Sequence, residues 1–209
     1  MKNLAKRTKP IEPMVKAMIL GHGKGWVFTP GDFLSIAGPR WVSMALTRLT
    51  RKGIIRQLAR GLYDYPNRDP QLGFLAPSIE AVGKALASRH AIRLQPSGGY
   101  AANLLGLSEQ VPMKVVFLTD GINRRVQIGK LQIQFKRTSP RNMAAAGKTS
   151  GLVIQALRHI GRRNIDHLIM QKLQKRLSAK DKKQLLTDLR HAPAWVANVM
   201  LNLAQSTHE

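Results

Sequence analysis

The chain has 209 residues, 44% of them hydrophobic, and carries 34 Lys and Arg against 11 Asp and Glu for a net charge of +23. That length fills one large or two small domains, and so one-sided a charge points to a polyanionic partner, nucleic acid first. No apolar run reaches the roughly 18 to 20 residues of a spanning helix and no apolar stretch follows the N-terminal lysines, so membrane insertion and secretion are not expected; the absence of cysteine excludes disulfide and thiolate-zinc frameworks, and a cytoplasmic protein is expected.

Residues 1–9 hold four positive charges and little to bury, which predicts a flexible basic arm. Ile11, Val15, Met18 and Ile19 recur at helical spacing until the glycines around His22, and Trp26 to Phe28 reads as a short strand. Thr29-Pro30-Gly31-Asp32 combines a side-chain cap, a proline at the first helical position and an early carboxylate, so a helix is expected there with Phe33, Ile36 and Ala37 on its core side. After Gly38-Pro39 comes a basic amphipathic helix whose Val42, Ala45, Leu46 and Leu49 form one apolar stripe.

A hairpin follows, with strands over 54–58 and 62–65 and Arg60-Gly61 at the tip. Helix, strand, helix, helix, hairpin is the order of a winged helix-turn-helix, here assigned to residues 10–66. The turn-rich segment from Asp64 to Gln71 reads as the boundary to a second domain over residues 71–209. There a helix is expected over 77–89, a short helix over 100–105, a strand over 115–118, a hairpin around Gly129-Lys130, and helices near 151–160, 165–177, 179–190 and 193–204. The predicted fold class is α+β: a winged helix followed by a mixed α/β domain that ends in several helices.

In the basic helix, Arg40, Ser43, Met44, Thr47 and Arg51 lie opposite the apolar stripe and suit base edges in a major groove. Arg48 and Lys52 on the helix, with Arg56 and Arg60 on the wing, suit phosphate. Trp41 reads as a packing or interface residue. A second basic face runs along the C-terminal helices through Arg158, Arg162, Arg163, Lys172, Lys175, Arg176, Lys180, Lys182 and Lys183, suited to nucleic acid or an acidic protein, or simply solvated.

No catalytic constellation emerges. Gly147-Lys148-Thr149 ends like a P-loop, but the first glycine of that pattern would fall at Asn142. Gly98-Gly99 followed by Asp120 resembles a nucleotidyltransferase pattern, yet Ile122 stands where a second metal-binding carboxylate is needed. His22, His90, His159, His167, His191 and His208 show no metal-ligand spacing, so no metal, cofactor or enzymatic role is expected.

Four motifs carry a family resemblance: residues 51–66 (RKGIIRQLARGLYDYP), Gly99 to Asn103, Phe117 to Gly121, and Ser139 to Asn142. Over residues 10 to 160 or so the chain resembles the AbiEi-type antitoxins of bacterial abortive-infection, type IV toxin–antitoxin systems. The resemblance implies a winged helix that represses its own operon by binding repeated operator sequences in double-stranded DNA, and a C-terminal domain that counteracts a nucleotidyltransferase-like toxin. Two other functions fit the residues alone: an RNA-binding or nucleotide-handling enzyme that docks through the winged helix, and an adaptor that sequesters a toxin without touching DNA.

Overall fold

The computed structural model describes residues 10–88, 92–110 and 112–205. The basic arm expected over residues 1–9 lies outside them, as do His90 and His208. The chain gathers into two compact units, Met1–Ala91 and Ile92–Glu209.

In the first unit, α1 (Ile11–His22) buries Val15 and Ile19 and leads to β1 (Val27–Phe28). The helix expected after Thr29 is a single 3₁₀ turn, Pro30–Phe33. Its capping box is complete, with the Thr29 backbone N–H donating to Asp32 Oδ2 at 2.7 Å. Gly38 and Pro39 lie too close downstream for it to propagate.

Helix α2 (Pro39–Arg51) follows, with proline at its first position and Val42, Ala45, Leu46 and Leu49 buried as the stripe predicts. Strands β2 (Arg56–Ala59) and β3 (Leu62–Asp64) form the wing, and Gly61 takes the positive φ of 71° that its turn requires. The sheet order is β1-β3-β2, antiparallel throughout. Phe28 and Phe33 meet edge to face at 5.3 Å in a core shared with Ile19, Val42, Leu46, Leu49 and Ile55. Each such side chain contributes about 1.5–3 kcal/mol through burial, which fixes α2 on this base. This is a winged helix.

The segment expected to separate the domains is structured within the first unit. Strands β4 (Arg68–Asp69) and β5 (Gly73–Phe74) form a small ribbon whose turn is tied by Asp69 Oδ1, which accepts from the backbone of Gln71 and Leu72. Helix α3 (Ile79–Ser88), expected in the second domain, buries Val82, Ala85 and Leu86 and packs against β1. The units therefore divide after residue 91, because α3 has an apolar face to cover and β1 offers it a surface.

The second unit opens with β6 (Leu94–Ser97) and α4 (Gly98–Leu104), followed by β7 (Lys114–Thr119), β8 (Arg124–Ile128) and β9 (Leu131–Arg137). The sheet order is β6-β7-β9-β8: β9 lies parallel to β7 and antiparallel to β8, with Phe117 opposite Phe135 and Val126 opposite Ile133. Four longer helices follow the short α5 (Pro140–Met143): α6 (Thr149–Ile160), α7 (His167–Arg176), α8 (Ala179–Asp188) and α9 (Ala194–Gln205). Their apolar faces converge on Val153, Leu157, Leu173, Leu185, Val196 and Met200. The overall class is α+β, as expected. Among the described residues no helix is long and apolar enough to cross a membrane.

Candidate nucleic-acid interface

Helix α2 turns its apolar stripe into the first unit's core, and the consequence is an outward face held without play. Arg40, Ser43, Met44, Thr47 and Arg51 are all exposed on it. The Thr47 hydroxyl donates to the Ser43 carbonyl at 2.9 Å, which holds its rotamer on an exposed residue. Arg60 is exposed at the wing tip, between strands whose register is interrupted between Gln57 and Ala59. Among the described residues Arg40, Arg51 and Arg60 form no ion pair. Three guanidinium groups with no local counter-charge are what a duplex backbone neutralises best.

Arg48 and Lys52 occupy the flank of α2 that faces α1, and both engage Glu12, Arg48 at 3.8 Å and Lys52 through a short hydrogen bond. The Lys52 hydrogen bond lowers the Glu12 pKa below the usual carboxylate value, against a smaller opposing effect of burial. Both cations keep more than half of their side-chain surface exposed, so they remain open to solvent. No sequence periodicity announces Glu12 as their partner, because the contacts join residues 36 and 40 positions apart. Beside it Trp41, 55% exposed, and Met44 line a hollow of about 410 Å³ with Pro10, Ile11 and Pro13.

Arg56 requires a correction. Its Nε donates to Asp64 Oδ1 at 3.0 Å, its Nη2 to Asp64 Oδ2 and to the Leu75 carbonyl at 2.8 Å, and its guanidinium lies over the Phe74 ring. Asp64 is 1% exposed, so the bidentate pair satisfies a buried carboxylate. Arg56 is therefore a structural tie between wing and ribbon rather than a free cation for phosphate.

The motifs weighed for catalysis are engaged in the fold of the second unit. Lys148 Nζ donates to Asp188 Oδ1 at 3.1 Å, and the Ser150 hydroxyl and the Gln184 amide donate to Asp188 Oδ2. Burial pushes the Asp188 carboxyl up, but the hydrogen bonds from Ser150, Lys148 and Gln184 outweigh it and hold the pKa below the usual value. Asp120 accepts from both the backbone N–H and the Nε of Arg93, at 2.9 and 2.8 Å, and Arg93 lowers its pKa. The contact ties the end of β7 to the start of β6.

No functionally curated protein matches the sequence. Among solved structures, the chain is similar to the crystal structure of the RV2827C protein from Mycobacterium tuberculosis, at 15% sequence identity and a TM-score of 0.48, with 95% of this chain and 78% of that chain covered. A family model matches residues 14–185, and the chain accordingly belongs to the family of unknown function DUF6088.

Proposed function

We propose that the protein is a DNA-binding transcriptional repressor of the antitoxin kind, acting in the cytoplasm on the operator of its own operon. In this reading α2 enters the major groove with Arg40, Ser43, Met44, Thr47 and Arg51 toward base edges, Arg48 and Lys52 meet the flanking phosphates, and Arg60 follows the backbone from the wing. The second unit, on the motifs it shares with AbiEi-type antitoxins, counteracts a nucleotidyltransferase-like toxin. The observation that carries the DNA reading is a core-anchored helix and a wing tip that together present Arg40, Arg51 and Arg60 without ion pairs among the described residues.

A gel shift on the DNA upstream of the protein's own reading frame tests it. Contact with six to ten phosphates makes affinity fall by about 10³ to 10⁵ between 50 and 200 mM salt. The triple variant Arg40→Ala, Arg51→Ala, Arg60→Ala is expected to lose specific binding and to flatten the log–log salt slope by about two to three. Unchanged specific binding by that variant overturns the assignment.

A further inference from the structure

The second unit contains a polar groove of about 330 Å³ that the DNA reading does not use. It lies between α6 and the sheet, and the motif residues left without a function meet there. Ser97 ends β6, Thr138 follows β9, Asn142 lies on α5, and Gln155, Arg158 and His159 share one face of α6 at i, i+3 and i+4.

The groove is internally ordered. The Ser97 hydroxyl donates to Gln155 Oε1 at 3.2 Å, the Asn142 amide donates to Thr138 Oγ1 at 2.8 Å, and Arg158 Nη1 donates to Asn142 Oδ1 at 3.3 Å. His159 rests beside the backbone of Gly98 and Gly99. Gln155, 6% exposed, lines the groove and accepts from Ser97, while its amide nitrogen donates to no described residue and is open to the groove.

The groove thus offers the Gln155 amide, the Arg158 guanidinium and the His159 ring as donors, and among the described residues no carboxylate lines it. Such a set recognises a compact anion with several acceptor oxygens. The volume exceeds that of an inorganic anion and falls at the small end of ligand sites, and Leu118 supplies an apolar wall. We propose that this groove binds the 5′-phosphate of a nucleotide, with Arg158 and His159 on the phosphate oxygens and Gln155 donating from the floor.

Titration calorimetry on the full chain in 150 mM salt, with adenosine 5′-monophosphate as probe and adenosine as the phosphate-free control, tests this. Saturable binding of one monophosphate per chain is expected, weakened at least tenfold by Arg158→Ala and by Gln155→Glu, which keeps the side-chain shape while turning an acceptor toward the phosphate. Lys130→Ala, an exposed cation outside the groove, is expected to leave it within twofold. Because Arg158 is exposed, its variant reports on the groove even if the Gln155 variant misfolds. Competition by an oligonucleotide that carries a 5′-phosphate, and none by its 5′-hydroxyl counterpart, assigns the phosphate to a nucleic-acid end; failure of both to compete assigns it to a free nucleotide. Absence of saturable binding, equal binding of adenosine, or equal weakening by Lys130→Ala and Arg158→Ala overturns the proposal. The operator gel shift reads a different surface, so the two proposals fail separately.

Discussion

Arg56 and Asp188 show how much a charged residue's role depends on what surrounds it. Removing the Arg56 guanidinium leaves the Asp64 carboxylate buried and unpaired, a change that costs about 3–5 kcal/mol in comparable settings. Arg56→Ala is therefore expected to lower the first unit's denaturation midpoint sharply, whereas Arg60→Ala changes stability by less than about 0.5 kcal/mol. Asp188 carries a pH dependence. Its folded pKa lies below the ordinary aspartate value of 3.8, so its contribution to stability is fully present above that value and is lost as pH falls through the folded pKa. Urea titrations from pH 7 to pH 3 are expected to show an acid-sensitive component that Asp188→Asn reduces. It does not abolish it, because Asp120 and Asp181 are lowered as well. The sequence makes these residues legible as charges but not as partners: Lys148 and Asp188 are 40 positions apart, and no local pattern joins them.

Elements whose causes are local could be read directly. The apolar stripe of α2, the capping box at Ser178 and Asp181 that opens α8, and the turns at Gly61 and Gly129 each lie within a few residues of the structure they specify. The 3₁₀ turn after Thr29, the ribbon β4–β5 and the short α5 are too brief for periodicity to register. Two helical glycines separate local propensity from packing. Gly151 in α6 has no room for a side chain: a Cβ would lie 2.2 Å from the Ala145 carbonyl oxygen and 2.5 Å from Gln95 Oε1. Gly151→Ala is expected to destabilise the second unit by about 1–3 kcal/mol through overpacking. Gly21 in α1 has nothing within 4 Å, and Gly21→Ala is expected to stabilise by about 0.4–1 kcal/mol. Opposite shifts in the two denaturation midpoints check both, and a neutral Gly151→Ala would contradict the close approach of α6 to Ala145.

Across the whole molecule the positive charge is not segregated. Residues 1–70 hold 13 basic and 4 acidic side chains, leaving 21 and 7 for the remainder. Composition alone therefore indicates a polyanion without saying which unit meets it; the groove of the second unit depends on residues as distant as Ser97 and His159 and is invisible to composition. The unit boundary was equally hard to read, because prolines between residues 66 and 77 mark turns whether or not a domain ends there. The strand order β6-β7-β9-β8 bears on how the second unit assembles in time. Its β8–β9 hairpin is the piece of sheet that can close alone, in microseconds. The strip β9 then offers is the template on which β7 zips in parallel, and the loop from Asp120 to Asn123 is drawn across the end of β9, where the Asn123 side chain receives the Arg137 amide. A nascent chain thus holds β7 unpaired on that side until synthesis has passed residue 137, and this interval is when the Val115 to Leu118 run is most open to misassociation.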